Sequence, residues 1–164
     1  MPPPITLDLV IVMDSKFGFE KARKNVINVQ ESKTLPLAAF TGHASLVVTI
    51  NGVEHSFETE QVTTDWAGGA DHVVMKGPGR EELLLLFHSK LADGSHRFDY
   101  VADAYIGYID ETGKLQPYIW YGFAYVDVSN GGTAKRGALD VNFITGFGES
   151  SVSVRGSFFC HLNE

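Results

Sequence analysis

The chain has 164 residues, of which 44% are hydrophobic and 20% charged, with a formal net charge of −7. That length suits one domain able to bury roughly 70% of its unfolded surface without a staple, and the composition excludes wholesale disorder. The acidic balance lacks the basic footprint of a nucleic-acid or anionic-membrane partner, and the single cysteine, Cys160, excludes an intrachain disulfide.

In chain order, Met1-Pro2-Pro3-Pro4 precedes Ile5–Asp14, an apolar run interrupted by Asp8 and preceded by no basic residue. It reads as a β-strand rather than a secretory signal. No stretch approaches the ~20 apolar residues of a membrane helix. A cytoplasmic location is expected, with a mature secreted chain as the alternative. Ser15–Gln30 departs from the strand pattern as a short helix or loop. Asn51-Gly52, between Ala44–Ile50 and Val53–Thr59, predicts a type I′ hairpin, because both residues tolerate positive φ. Gly77-Pro78-Gly79 marks a turn before the strand beginning at Glu82. Asp93-Gly94 reads as a second tight hairpin, joining Glu82–Leu91 to His96–Ile109. Asp110–Lys114 is a third hairpin loop with Gly113 at its left-handed position. Ser129–Thr133 reads as a longer, flexible connection, and Gly146–Ser150 as the last turn.

These signals describe a single domain over residues 1–164, an all-β meander of about eight or nine strands. Long neighbouring strands joined by short turns favour an antiparallel up-and-down β-barrel, which removes exposed edges. A two-sheet β-sandwich is the alternative.

Register arithmetic assigns faces. A two-residue Asp93-Gly94 turn places Phe87 opposite Tyr100, Leu85 opposite Ala102 and Leu83 opposite Ala104, with His88 opposite Asp99 on the other face. In the last hairpin, Val141, Phe143 and Phe147 join Val152, Val154, Phe158, Cys160 and Leu162 on one apolar face. Asp140, Asn142, Ser151, Ser153, Arg155 and Ser157 take the other. Between these hairpins the registers conflict, and a bulge at Pro117 reconciles them. The bulge turns Tyr121, Phe123 and Tyr125 inward and Tyr118, Trp120, Ala124 and Val126 outward; without it the two sets exchange.

No nucleophile elbow, phosphate loop or His-Glu-x-x-His motif is present, and His43, His55, His72, His88, His96 and His161 show no zinc-site spacing. Neither a metal nor a cofactor is expected, and catalytic residues are not assigned. His55 is the most informative histidine. The Asn51-Gly52 register puts it opposite Val48, on the apolar face with Val53 and Phe57, where it requires a partner or a cavity. Tyr100, Tyr121, Tyr125 and Thr145 join it in the inward set, so His55, Tyr100, Tyr121, Tyr125 and Thr145 are the candidate ligand-binding residues of a barrel lumen. Solid packing is the competing account of the same residues. The outward set of Leu84, Leu86, Val101, Trp120 and Val126 predicts an apolar patch and a homo-oligomer. Cover by the Phe17–Gln30 segment and a sugar-stacking platform built on Tyr118 and Trp120 are the other readings.

The meander resembles lipocalin-like and allene-oxide-cyclase-like barrels in architecture alone. The lipocalin Gly-x-Trp signature is missing, since Trp66 follows Thr64-Asp65, and architecture confers no function. The leading expectation is a non-catalytic protein that holds a small apolar or amphipathic molecule in the lumen. The alternatives are a cofactor-free isomerase or cyclase, in which His55 or a tyrosine moves a proton, and a carbohydrate-binding or structural oligomerisation module.

Overall fold

The computed structural model describes residues 39–67, 70–116, 119–144 and 151–163, with backbone alone at 65–67 and 70. These form β1 (Phe40–Ile50), β2 (Val53–Thr59), β3 (Val62–Ala67), β4 (Ala70–Lys76), β5 (Glu82–Phe87), β6 (Gly94–Tyr100), β7 (Ala104–Ile109), β8 (Trp120–Ser129), β9 (Ala134–Phe143) and β10 (Val152–Leu162). The protein is all-β. One sheet has six strands in the order β2-β1-β10-β9-β8-β6, and the other has four in the order β3-β4-β5-β7; all pairings are antiparallel.

Among the described residues no strand joins one sheet to the other by pairing. The expected closed barrel is therefore corrected to two separate sheets facing each other, consistent with a β-sandwich. One core fills the space between them, drawing Val48, Phe57, Met75, Leu85, Phe87, Ile106, Val141 and Val154 from both sheets. The lumen of the barrel reading is thus occupied by packed side chains.

Asn51-Gly52 behaves as its chemistry dictates. Both residues have positive φ, 52° and 79°, and β1 and β2 pair with Val48 opposite His55. Gly77-Pro78-Gly79 turns the chain between β4 and β5, closed by the Gly77 N–H bonding to the Glu81 carbonyl at 2.8 Å. The Asp110–Lys114 loop forms as expected, with Gly113 at φ 86° and Ile109 bridged to Leu115.

The Asp93-Gly94 hairpin does not form. β5 pairs with β4 and β7, whereas β6 pairs with β8 on the other sheet. Leu83, Leu85 and Phe87 consequently lie opposite Tyr108, Ile106 and Ala104. The run read as one strand from His96 to Ile109 is cut by a turn at 101–103, where the Asp103 N–H bonds to the Tyr100 carbonyl and the Asp103 carboxylate accepts from the Asp99 N–H. That turn carries β7 to the smaller sheet. Asp93 serves a different connection: its carboxylate accepts the Gly131 and Gly132 N–H groups at 3.0 and 3.1 Å. The expected flexible link after Ser129 is accordingly a tight 3-10 turn at Asn130–Gly132, joining β8 to β9. His88 donates to the Ala102 carbonyl rather than facing Asp99.

The β9–β10 pairing holds as expected, with Val152 opposite Phe143 and Val154 opposite Val141, all buried. It dictates the orientation of β8. Ser129 pairs with Ala134, which sets Trp120 opposite Phe143 and Ala124 opposite Leu139. Trp120, Ala124, Val126 and Val128 therefore point into the core, and the Trp120 indole N–H bonds to the Ala104 carbonyl at 3.0 Å. The inward and outward sets assigned to β8 are exchanged. Pro117, Tyr118, Thr145, Phe147, the last turn and residues 1–38 lie outside the described residues, so neither the bulge nor the readings of those positions are addressed.

The expected outward patch is also corrected. Trp120 and Val126 face the core, and Val101 packs against it, half-buried. Leu84 and Leu86 do face away from it, but both are buried, in a second small cluster with Val74. These five residues therefore present no exposed apolar patch for self-association.

Candidate functional site

The exchange on β8 moves the candidate tyrosines outside. Tyr100, Tyr121 and Tyr125 are 54%, 55% and 43% exposed, so the expected shared interior space does not exist. All three sit on the outer face of the six-stranded sheet, with Tyr100 opposite Tyr121 and Tyr125 opposite Arg97. His55 is separated from them, on the edge strand β2.

Period-two alternation builds the outer face row by row. One row runs Arg97, Tyr125, Ala138, Ser157, Ser45 across β6, β8, β9, β10 and β1. The adjacent row runs Ser95, Asp127, Arg136, Phe159, His43. Small side chains at Ala138 and Ser157 leave a depression flanked by Tyr125 and Phe159. The result is a groove of about 460 Å³ whose lining includes His43, Asp127 and Arg136. Gly137 contributes backbone to its floor. A Cβ there would fall 2.1 Å from the Tyr125 carbonyl oxygen and 2.8 Å from the Phe158 ring, which packs beneath. Only glycine lets that ring close against the strand.

Tyr125 is held in place before any ligand arrives. Its hydroxyl accepts from Arg97, whose guanidinium lies 5.1 Å from the Tyr125 ring centre and 5.7 Å from that of Phe123. Phe123 meets Tyr125 edge-on at 5.6 Å. Asp99 accepts from Arg97 at 2.7 Å, and this bond holds the guanidinium in its charged form. Asp127 accepts from the Ser95 hydroxyl at 2.5 Å.

A second cluster lies at the other edge of the sandwich. The His55 imidazole, 30% exposed, places Nε2 2.8 Å from Oε2 of Glu81, which is 7% exposed. The buried Tyr108 hydroxyl donates to the same oxygen at 2.6 Å. Burial first, then the bond to Glu81 and the negative charge of Glu81, Asp110 and Glu111, push the Tyr108 phenol upward. The Glu111 carboxylate completes the group: one ligating atom each from His55, Glu81 and Glu111 lies within 4.8 Å of the others.

His55 thus faces the side its register required and meets a partner there, on a segment remote in sequence. Tyr125 lines the groove, while Tyr100 and Tyr121 share its sheet face without lining it. Sequence reasoning missed Phe159, Asp127, Arg136 and His43. Phe159 was within reach, because the alternation that buries Phe158 turns its neighbour out. Glu81, Tyr108 and Glu111 carried no local signal.

Comparison with protein-family models, with curated proteins and with solved structures finds no match for the chain.

Proposed function

We propose that the protein is a non-catalytic binding module that takes a neutral carbohydrate on the outer face of its six-stranded sheet. The observation that carries this reading is the groove between the Tyr125 and Phe159 rings, floored by Ala138 and Ser157. An aromatic ring offers an apolar face that suits the C–H face of a sugar, and small floor residues admit the sugar ring between two such walls. Sugar hydroxyls need hydrogen-bond partners at the rim, and Asp127, Arg136, His43 and Ser157 supply both acceptors and donors. Asp127 and Arg136 are directly opposite each other on β8 and β9, so their charges oppose locally. That favours an uncharged polyhydroxyl ligand over an anion or cation. Arg97 supports the reading by fixing Tyr125, since less ordering is then required on binding.

The packed interior gives no comparable support to a lumen ligand or a lumen cyclase. The test is a screen of neutral mono- and oligosaccharides on a glycan array, followed by calorimetric titration of the best binder. Tyr125→Ala and Phe159→Ala are each expected to weaken binding at least about tenfold, about 1.4 kcal/mol, while leaving the melting temperature nearly unchanged. An array without binders, or affinity that survives both substitutions, overturns the proposal.

A further inference from the structure

We propose that His55, Glu81 and Glu111 form a binding site for a divalent cation of the zinc class, at the edge of the sandwich away from the groove. The three side chains come from three separate elements: β2, the turn before β5, and the hairpin loop after β7. Each element is positioned by its own bonds. The Asn51-Gly52 register turns His55 toward the core side. The Gly77–Glu81 bond closes the turn that presents Glu81. In the third element, Asp110 accepts from the Thr112 N–H, the Thr112 hydroxyl, the Lys114 N–H and the Gln116 amide, which fixes the loop carrying Glu111. Arg80, the neighbour of Glu81, donates to the Thr112 carbonyl at 3.2 Å and draws that loop over the Glu81 turn.

Charge supplies an independent argument. Two carboxylates converge, one of them nearly buried, and among the described residues no lysine or arginine forms an ion pair with either. Among the described residues the His55 imidazole is the one ion-pair partner of Glu81, so even its protonated form leaves the group one positive charge short. A dication corrects that deficit. Imidazole nitrogen with carboxylate oxygen is a zinc-type donor set, whereas magnesium and calcium prefer oxygen throughout. Tetrahedral zinc with bonds near 2.0 Å sets ligand atoms about 3.3 Å apart, so His55 and Glu81, 2.8 Å apart, need to separate by roughly half an ångström, and Glu111 starts within 4.8 Å of both. The metal would take the place of the proton shared between His55 and Glu81. Tyr108, bonded to Glu81 Oε2, would orient that carboxylate as an outer partner. Three protein ligands leave a fourth position for water.

The test uses the full chain, untagged and stripped with EDTA, titrated with zinc chloride by calorimetry and followed by thermal melting. One equivalent of zinc is expected to bind and raise the melting temperature. Glu111 is exposed at a loop tip, so Glu111→Gln is expected to leave the metal-free melting temperature unchanged while weakening zinc binding at least about tenfold. His55→Ala should do the same to binding. Tyr125→Ala, in the distant groove, should leave zinc binding untouched. No saturable heat and no thermal shift at about a hundredfold excess of zinc would overturn the proposal, as would affinity unchanged in both Glu111→Gln and His55→Ala.

Discussion

Among the described residues, Asp71 and Glu81 are buried carboxylates that each meet a basic partner, and the two are built on opposite terms. Asp71 and Lys135 lie between the sheets at 2% and 1% exposure. The lysine ammonium donates to the Thr64 hydroxyl at 2.6 Å and to the Gly132 carbonyl at 3.0 Å. It also forms an ion pair with Asp71 Oδ1 at 2.9 Å. The other Asp71 oxygen accepts the Leu91 N–H. Charges balance, and β9 of one sheet is tied to β3 and β4 of the other. At Glu81, by contrast, the partner is a half-buried imidazole, a further carboxylate stands nearby, and water reaches the edge. A sealed and neutral pair serves the fold, while an accessible and unbalanced one has capacity left for a ligand.

Lys135→Ala is expected to have the largest effect on stability. It leaves Asp71 buried and uncompensated, and is expected to cost about 3–5 kcal/mol. The double variant Lys135→Met with Asp71→Leu should recover most of that loss, because desolvation of the pair offsets much of its attraction. Denaturant melts provide the stability, and Cys160 reports opening. Its buried thiol lies opposite Lys135, and its pKa is raised to about 12, chiefly by burial, with Lys135 lowering it and Asp71 raising it. It should resist alkylation in the native protein and react faster in Lys135→Ala. Equal stability of Lys135→Ala and the parent would show that the sealed pair is not structural.

Tyr108→Phe tests the buried half of the open cluster. It removes one donor to Glu81 and is expected to cost about 1–3 kcal/mol at neutral pH. The folded state holds the Tyr108 proton more tightly than the unfolded chain does. That contribution is therefore complete below the ordinary tyrosine value of about 10 and fades as pH rises above it. Stability curves of the parent and Tyr108→Phe should converge above about pH 10. Parallel curves would mean that the phenol does not sense Glu81.

The same contrast explains which parts of the molecule are legible in the sequence. Asn51-Gly52, Asp110–Lys114 and the alternation of β9 and β10 are local, and turn chemistry or period-two patterning determines them within a few residues. They place His55 on its face correctly. The pairing of β1 with β10, or of β5 with β7 across the intervening β6, depends on contacts far apart in sequence, for which no local residue is a signal. Leu83–Phe87 is apolar on both faces, which fits a central strand but does not say which neighbours it takes. The break at 101–103 uses Ala102 and an Asp103 side-chain bond rather than glycine or proline, so an alternating run concealed it. Reading Asn130–Gly132 as a loose link hid the parity of β8, and three tyrosines moved from inside to outside. Both clusters depend on long-range placement: His55 is recognisable as a candidate and Lys135 is not, and Glu81 and Asp71 become their partners only when the two sheets meet.

The smallest expected effect belongs to His55→Ala in the presence of EDTA. Removing the imbalance by another route would be ambiguous, but deleting the imidazole isolates what the open pair contributes to the fold alone. Glu81 keeps its bond from Tyr108, and the vacated volume opens to solvent because His55 is already 30% exposed. Water can then bond to the freed carboxylate oxygen, so the full penalty of an unsatisfied buried group does not arise. A loss of about 0.5–1.5 kcal/mol is expected, with the denaturant m-value unchanged. Lys135→Ala differs in that water has no such route to Asp71. If His55→Ala instead costs as much as Lys135→Ala, the edge of the sandwich is sealed as tightly as its centre. The distinction between a structural pair and an accessible one would then fail.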